Sequence, residues 1–557
     1  MYLSQFNSGR IPAERIISHS PCGCYCIIHF GLNTYTDREW GYGDEDPALF
    51  DPVDFDAEKI VQTCKDAGLS GLILVCKHHD GFCLWRTATT SHNISKSPFR
   101  NGQGDLVREF ADACAKVGLD MGFYVSPWDR NHPDYGRAEY VEVFRQQLRE
   151  LLSGYGPAFE VWFDGANGGD GYYGGACEKR QIDNTVYYDW VNTWRIVREL
   201  QPHAAIFSDV GPDLRWVGNE KGYAHRDCFG SYSPESDIPG NDPVPGGTAY
   251  KLGETGHAGG KFFIPPECDF PLRNGWFWHP HEENTQKSVA ELIRIYLHSV
   301  GCGGFMNIGL APDRNGVLSE NDVKSLLLFK EARSALFSNE VYRGEWRVPA
   351  GGDAIVRFAS PVNFNLLEMT EDLANGENIC DYEILVEQAD GSIFPLISGN
   401  AVGLRRLKAL PRQTASGILI RVTKSRAAEN VIRFALYHAV YPVSDHDPVL
   451  TDEKFHMAER CHDGWEIDLY GEHAICGFEF IPAEYDPAHI PTRYFFRAVD
   501  QNGNEIVLSI GEFSNIRANP VLQKIMLPQS FSTARCRITF PDVSTEHFPG
   551  RIRILFA

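Results

Sequence analysis

Apolar runs alternate with amphipathic patterns over the first part of the chain, from residue 20 to about residue 340. The runs read as buried strands and lie at 24–30, 71–76, 121–125, 159–163, 204–207, 261–264 and 302–308. Apolar residues at helical spacing fill most of the intervals, at 57–67, 106–117, 140–151, 187–200, 289–300 and 323–337. Strands that alternate with helices predict a parallel sheet covered by helices. Seven or eight such repeats in roughly 300 residues favour a closed (β/α)8 barrel over an open sheet.

The pattern changes after about residue 340, where helical periodicity gives way to short strands and turn signals. Strand-like segments lie at 382–387, 417–422, 465–469, 474–481, 494–499 and 551–556. These predict two antiparallel β-sandwiches of roughly 100 residues each. The chain is therefore divided into a barrel at 1–340, a β-sandwich at 341–445 and a second β-sandwich at 446–557.

Charge narrows the range of partners. The chain has 74 acidic against 52 basic residues, a net charge of −22. Phosphate and anionic lipid binding need clustered Lys and Arg, so we expect neither a nucleic acid nor an anionic membrane as a partner. No run of about 18 apolar residues exists, and we therefore expect no membrane span. The sequence leaves the oligomeric state open.

Cysteine usage bears on the compartment. The 15 cysteines lie mostly in apolar runs, and none forms a Cys-x-x-Cys pair. Cys22, Cys24 and Cys26 alternate, which would place them on one face of a strand. We expect reduced, buried thiols and a cytoplasmic protein. Residues 1–10 show no apolar core of a signal peptide, and a secreted protein is expected only if such a segment was removed.

Polar side chains gather where the predicted strands end, which in a parallel barrel is one rim. They are His29, His78, His79, Tyr124, Ser126, Trp128, Trp162, Asp164, Asp209, Glu220, Glu267 and Asp269. Histidines, carboxylates and tryptophans on one rim suit glycoside hydrolysis, which uses two carboxyl groups on either side of the scissile bond. Asp164 directly follows an apolar strand. Glu220 lies on a glycine-containing loop beside Trp216, where an apolar neighbour would raise its pKa, as a general acid needs.

Two other chemistries could use parts of this set. A metal could bind His29, His78, His79 and Asp164, although adjacent histidines on a strand point to opposite faces. Residues 169–174 match G-x-G-x-x-G, but no apolar helix opens within the motif, so a dinucleotide site is poorly supported.

Structural interpretations compete for the same residues. Asp164 could cap a helix, Glu220 could be a solvated loop carboxylate, and His78 with His79 could be a buried structural pair. Glu267 and Asp269 could pair with Arg273. The aromatic run at 276–279 could be core or the wall of a pocket.

Four segments stand out in the first part of the chain: His29-Phe30-Gly31, Glu39-Trp40, Lys77-His78-His79-Asp80-Gly81-Phe82 and Trp162-Phe163-Asp164-Gly165. Together, and in this order, they resemble the α-L-fucosidases of glycoside hydrolase family 29. The resemblance covers about residues 20–340. It implies an exo-acting, retaining enzyme with Asp164 as nucleophile and no metal or other cofactor.

The segment 211–220 resembles the branch of the family specific for α-1,3/1,4-linked fucose, in which the last Glu is the acid/base. The resemblance thus gives that role to Glu220 and implies a Lewis-type substrate on an oligosaccharide or glycoconjugate. It also implies a fucose subsite lined by His29, Glu39, Trp40, His78, His79, Tyr124, Trp162 and Trp278. Another linkage preference, a transfucosidase and a non-catalytic fucose-binding protein remain alternatives.

The last segment also carries a weaker resemblance. Residues 465–469 and 476–481 look like the start of a discoidin-type module, a class that often binds carbohydrate. We expect residues 345–445 to act as a scaffold and leave open whether residues 450–557 bind glycans or support the barrel.

Overall fold

The computed structural model describes residues 2–18, 23–439, 456–461, 464–483, 489–499, 504–513, 516–517, 520–544 and 548–556. Eight parallel strands close a barrel in which each strand pairs with the next along the chain and the last pairs with the first. They are β1 (Cys24–Ile28), β2 (Gly71–Lys77), β3 (Asp120–Val125), β4 (Glu160–Trp162), β5 (Ala205–Ser208), β6 (Leu214–Trp216), β7 (Pro266–Pro271) and β8 (Phe305–Leu310). The predicted barrel is confirmed.

Helices surround the barrel between most of its strands. They are α1 (Ala57–Asp66), α2 (Leu106–Val117), α3 (Ala138–Gly154), α4 (Trp190–Leu200), α5 (Val289–His298) and α6 (Glu320–Leu336). Polar N-caps fix several helix starts. Asp56 accepts the Lys59 N–H at 3.1 Å, and Ser288 forms a capping box with Glu291. Such caps satisfy backbone donors that a helix start leaves unpaired.

Strand alternation separates two layers of packing. Along β1, Tyr25 and Ile27 join a cluster inside the barrel, while Cys24, Cys26 and Ile28 join the cluster that the helices cover. Period-two alternation therefore places every second strand residue in the barrel interior.

The predicted strand at 261–264 is wrong as a barrel strand. Phe262–Phe263 instead pairs antiparallel with Ser231–Tyr232 outside the barrel. The barrel uses β6 and β7 there. β6 has three residues, one of them the buried Arg215, and β7 carries Glu267 and Asp269 inside, so neither shows an apolar run. The segment 169–174 forms a short strand and a 3-10 turn rather than the start of a phosphate-binding helix.

Two antiparallel sheets follow the barrel, as predicted. The first has the order β9-β14-β10-β13-β11-β12. Its strands are β9 (Glu340–Pro349), β10 (Asp353–Glu371), β11 (Ile379–Glu387), β12 (Ile393–Gly399), β13 (Arg406–Ser425) and β14 (Glu429–Tyr437). Its hydrophobic core is separate from that of the barrel.

The second sheet has the order β15-β16-β19-β17-β18, with β20 also paired to β16. Its strands are β15 (Glu459–Cys461), β16 (Gly464–Pro482), β17 (Arg493–Val499), β18 (Glu505–Glu512), β19 (Gln523–Thr539) and β20 (Gly550–Phe556). It too has its own core.

Both sheets are tied to the barrel by hydrogen bonds. Glu377 of the first sheet domain accepts the backbone N–H groups of Gly230 and Ser231 at 3.2 and 2.8 Å. In the second, the Leu522 carbonyl accepts the Asn274 side chain at 3.3 Å, close to where β19 meets residues 280–282. The second sheet therefore contacts the rim at which β7 ends.

The cysteines that the structure describes are free, and most of them are buried, as expected for thiols that pack as small apolar groups. Cys22, one of the three alternating cysteines, lies outside the described residues. Among the described helices, none combines the length and apolar character that a membrane crossing requires.

Candidate active site

The predicted site residues lie at the carboxyl ends of the barrel strands. His29 follows β1, His78 and His79 follow β2, Tyr124 lies on β3, and Asp164 comes two residues after β4. The carboxyl ends of parallel barrel strands share one rim, so these side chains face a common space.

Asp164 is held by two donors and remains open to the rim. The Tyr124 hydroxyl donates to Oδ2 at 2.9 Å, and the Ala166 N–H donates to Oδ1 at 2.7 Å. Its side chain is 23% exposed. Burial raises the pKa of Asp164, and these two hydrogen bonds oppose that rise. The chain continues into the strand Gly169–Gly171 rather than a helix, so Asp164 does not serve as a helix cap.

The three histidines form a buried, neutral wall. Burial lowers the pKa of His29 and His78, and it lowers that of His79 to about 3. The His79 Nδ1 lies 2.7 Å from the Ser126 hydroxyl, and its Nε2 lies 3.9 Å from Asp164 Oδ2. A neutral imidazole offers one donor and one acceptor, which suits hydroxyl groups.

These histidines do not form a cluster of metal ligands with Asp164. Among the described residues, ligand atoms of three suitable side chains converge only at Asp37, His279 and His281. Both ring nitrogens of His279 already contact carboxylates at 2.7 Å, and those contacts raise its pKa to about 10 although burial opposes them. A metal ion at these residues would have to displace both the proton and the carboxylate contact from one ring nitrogen of His279.

Glu220 accepts a hydrogen bond from a tryptophan that the sequence did not identify as a site residue. The indole Nε1 of Trp276 donates to Glu220 Oε2 at 2.9 Å. The Trp276 ring lies 4.9 Å from that of His29, and the His29 ring lies 6.3 Å from that of Tyr124, which holds Asp164. Glu220 and Asp164 therefore belong to one continuous set of contacts on the same rim.

The remaining predicted residues lie at different depths. Trp40 is 54% exposed and meets the rings of His79 and Trp128 edge-on at 5.2 and 5.6 Å. Trp162 is buried, stacks on Phe207 at 4.1 Å and donates its indole N–H to Glu267 at 2.8 Å. Trp40 is thus a rim side chain, and Trp162 is part of the floor.

Glu39 contacts the backbone of the aromatic run at 276–279, and Trp278 lies beside an arginine. Glu39 accepts the backbone N–H groups of Trp276 and Phe277 at 2.9 and 3.1 Å. Trp278 lies against the Arg314 guanidinium at 5.7 Å. In this aromatic run, the ring in contact with His29 and Glu220 belongs to Trp276.

Buried carboxyl groups, for which the sequence predicted no catalytic role, form the floor of the site. Glu267 accepts hydrogen bonds from Tyr25, Trp162 and Asn307. Asp269, one layer closer to the rim, is 3% exposed, and burial raises its pKa well above the ordinary value. The sequence signal for this floor was the spacing of two residues between Glu267 and Asp269, because residues i and i+2 of a barrel strand share the face that points into the barrel.

The suggested pairing of Glu267 and Asp269 with Arg273 is wrong. Arg273 instead pairs with Asp322 and Glu283, each at 3.0 Å. Period-two alternation turns the two β7 carboxylates into the barrel, whereas Arg273 lies beyond the end of the strand.

Asp209 packs against Gly165, the residue that follows Asp164. It accepts the Gly246 N–H at 2.8 Å and the Tyr250 hydroxyl at 3.1 Å. A Cβ atom at Gly165 would lie 2.0 Å from Asp209 Oδ2, so only glycine lets the two segments pack this closely. Burial raises the pKa of Asp209 to about 7, and the charge of Asp164 adds to the rise.

The arrangement combines two partly accessible carboxylates with neutral imidazoles and aromatic walls. One carboxylate is rigidly held and can act as a nucleophile, and the other sits on a loop with an indole donor. This combination suits acetal chemistry on a sugar, in which one carboxyl attacks and the other transfers a proton.

Comparisons with known proteins agree with that chemistry. A family model described as Alpha-L-fucosidase matches residues 25–329. Alpha-L-fucosidase 1 of Arabidopsis thaliana is 35% identical over 446 residues, which cover 74% of this chain and 84% of the plant protein.

Solved structures extend the similarity beyond the barrel. A glycoside hydrolase 29 family member from an unknown rumen bacterium is 33% identical, with a TM-score of 0.74, over 99% of this chain and 100% of that chain. A Ruminococcus gnavus GH29 fucosidase in complex with fucose is 26% identical, with a TM-score of 0.66, over 77% of this chain and 95% of that chain. The first match includes both β-sheet domains.

The raised pKa of Asp209 predicts a pH-dependent stability. From about pH 4 to pH 7 the folded protein keeps a proton on Asp209 that the unfolded chain has lost. The contribution of Asp209 to the free energy of unfolding therefore decreases as the pH rises over this range, and it is lost once the pH has passed about 7. Between pH 5 and pH 8, wild type should lose about 2–3 kcal/mol more unfolding free energy than Asp209→Asn.

Denaturant titrations followed by tryptophan fluorescence at both pH values measure this difference. Asp44→Asn, at an exposed carboxylate, is the matched control and should show the wild-type pH dependence. An Asp209→Asn variant with the same pH dependence as wild type would show that Asp209 is ionised in the folded protein at pH 5.

Proposed function

Because the chain belongs to the α-L-fucosidases of glycoside hydrolase family 29, we propose that it removes terminal L-fucose from glycans by a retaining double displacement. The observation that carries this proposal is the Asp164 carboxylate. Tyr124 and the Ala166 N–H fix it at the end of a barrel strand, and it stays open to the rim that also bears Glu220.

In the first step, Asp164 attacks the anomeric carbon and forms a covalent fucosyl ester. Glu220 gives its proton to the glycosidic oxygen, and the bond from that oxygen to the sugar breaks. In the second step, Glu220 takes a proton from water, and the water oxygen displaces Asp164 from the anomeric carbon. Fucose leaves with its configuration retained, and both carboxyl groups return to their starting states.

The surrounding side chains fit the sugar by their chemistry. L-Fucose carries three hydroxyl groups at C2, C3 and C4 and a methyl group at C5. Neutral His29, His78 and His79 can donate to or accept from hydroxyls, and the half-exposed Trp40 offers an apolar face. A hydroxyl missing from the wrong sugar would leave a buried polar group unpaired, at a cost of about 1–3 kcal/mol. The fucose complex of the similar Ruminococcus gnavus enzyme supports fucose as the bound sugar.

The linkage proposal rests on residues 211–220. Their resemblance to the α-1,3/1,4-specific branch supports a Lewis-type substrate, in which galactose and fucose are neighbours on GlcNAc. This segment ends at Glu220, the proposed acid/base, and a leaving group must sit beside that residue.

Removal of the Asp164 carboxylate and removal of the Glu220 carboxylate should affect the reaction at different steps. Asp164→Asn should lower turnover of an aryl α-fucoside by about three orders of magnitude or more, since the nucleophile is lost. Glu220→Ala should form the fucosyl-enzyme from an activated aryl fucoside but hydrolyse it slowly. Added azide should raise its rate and yield α-fucosyl azide, because the anion needs no general base.

Asp112→Asn, at a carboxylate whose side chain is 70% exposed on α2, is the control and should retain wild-type rates. Near-wild-type turnover by Asp164→Asn would contradict its assigned role. An unchanged rate of Glu220→Ala with azide, and no azide product, would place the acid/base elsewhere.

A panel of fucosyl oligosaccharides with defined linkages tests the substrate. We expect kcat/KM to be at least about tenfold higher for α-1,3- and α-1,4-linked fucose than for α-1,2- or α-1,6-linked fucose, a difference of about 1.4 kcal/mol in the transition state. Preference for an α-1,2 or α-1,6 linkage would contradict the proposed branch. Formation of fucosylated acceptors as products, in place of free fucose, would indicate a transfucosidase.

A further inference from the structure

The segment that carries Trp276 is fastened at several points. We call residues 274–279 the rim strap. Glu282 accepts the N–H of Gly275 at 3.0 Å, and Glu39 accepts the N–H groups of Trp276 and Phe277 at 2.9 and 3.1 Å. These bonds fix the strap backbone just where it presents the Trp276 indole to Glu220.

The strap ends in a histidine between two carboxylates. His279 Nδ1 lies 2.7 Å from Asp37 Oδ1, and its Nε2 lies 2.7 Å from Glu39 Oε1. His279 is 3% exposed, whereas the Asp37 and Glu39 side chains are 45% and 16% exposed. A histidine that donates from both nitrogens is an imidazolium, and its charge offsets the cost of the partly buried Glu39.

The surroundings of His279 support the charged form. Glu282 adds negative charge, while burial acts against protonation, and the balance raises the pKa of His279 to about 10. His281, with its ring 5.4 Å away, has its own pKa lowered mainly by burial. Tyr494 faces Asp37 from the second sheet domain; burial raises the pKa of its hydroxyl, and the charge of Asp37 adds to that rise. Arg314 faces Asp37 from the barrel side.

Glu39 is therefore engaged mainly by the protein. It already has three close donors, namely two backbone N–H groups and the His279 imidazolium. A carboxylate has about four acceptor positions, so one is left for a sugar hydroxyl. Its contacts make Glu39 a fastening point for the strap as well as a candidate member of the fucose subsite.

We propose that His279 is a positioning residue for proton transfer: it clamps Glu39 to the rim strap, and the strap holds the Trp276 indole against Glu220. The inference rests on the proposed acid/base role of Glu220. Because the indole donates to Oε2, the transferable proton of the acid form belongs on Oε1. The clamp thereby selects which oxygen of Glu220 faces the leaving group.

A role in proton transfer predicts dependence on the leaving group. A sugar alcohol is a poor leaving group and needs a well-placed acid, whereas an activated phenolate leaves with little help. General acid catalysis is worth about 10²–10⁴-fold, so a displaced acid can lose a substantial part of this factor. Loss of a sugar-binding contact would instead affect both substrates alike.

The test compares His279→Gln on a fucosyl oligosaccharide and on 2-chloro-4-nitrophenyl α-fucoside. We expect kcat/KM to fall by about tenfold or more on the oligosaccharide and by less than about threefold on the aryl fucoside. His281→Gln is the matched control. It changes the neighbouring imidazole, whose side chain is 25% exposed, and should leave both values near wild type.

A double-mutant cycle tests the route through the strap. Trp276→Phe keeps a ring but removes the N–H donor, and alone it should show the same leaving-group dependence. In the His279→Gln background it should add little further loss, because both changes break one chain of contacts. Multiplicative losses would overturn the proposed route.

Two outcomes would separate the inference from the function on which it rests. An equal loss on both substrates, or a higher KM on both with unchanged kcat, would overturn the positioning role while leaving the fucosidase mechanism intact. Failure of azide to rescue Glu220→Ala would instead refute the acid/base assignment. If His279→Gln does not fold, Asp37→Asn removes charge from the more exposed end of the clamp and should show the same selective loss; an equal loss would overturn the proposal.

Discussion

β8 hydrogen-bonds to β1, and this closure of eight parallel strands decides where each polar group of the site lies. A closed parallel sheet has one rim at which all strands end, and side chains far apart in sequence meet there. The histidines that follow β2, the aspartate that follows β4 and the loop after β6 therefore share one space. The helices and the two β-sheet domains support a ring whose geometry is already set by this pairing.

Burial then assigns protonation states within that space. It lowers the pKa of His79 to about 3, raises that of Asp209 to about 7 and raises that of Asp269 well above its ordinary value. Burial thus favours the neutral form of the histidines and the protonated form of the buried floor carboxyls. Burial raises the pKa of Asp164, and its two hydrogen bonds oppose that rise, which suits the proposed role of an ionised nucleophile. In the proposed mechanism, the carboxylate of Asp164 would lie beside the developing positive charge of an oxocarbenium-like transition state.

Much of the fold could be predicted because the apolar runs of β1 to β5 and β8 are buried on both faces. β6 and β7 were missed for a physical reason. Arg215 is buried in β6 because backbone carbonyl groups of later segments, such as those of Gly253 and Phe229, accept its guanidinium protons. Glu267 is buried in β7 because Tyr25, Trp162 and Asn307 come from other strands to donate to it.

The site residues likewise divide into those that the sequence could predict and those that it could not. Residues directly after apolar strands could be recognised, since their place on the rim follows from the strand itself. The contact between Trp276 and Glu220 spans 56 residues and depends on how the rim strap is fastened, so spacing carried no signal for it. The sequence left the aromatic run at 276–279 open as core or pocket wall, and only the three-dimensional arrangement distinguishes Trp276 from Trp278.

The most direct test of the account is to trap the covalent intermediate with 2-deoxy-2-fluoro-fucosyl fluoride and to locate the label by peptide mass spectrometry. Fluorine at C2 slows both steps, and the activated leaving group restores the first, so the fucosyl-enzyme accumulates. The account predicts one fluorofucosyl group per chain, esterified to Asp164. A label on another residue, such as Asp209 or Asp269, or rapid turnover to a product of inverted configuration without any label, would contradict it.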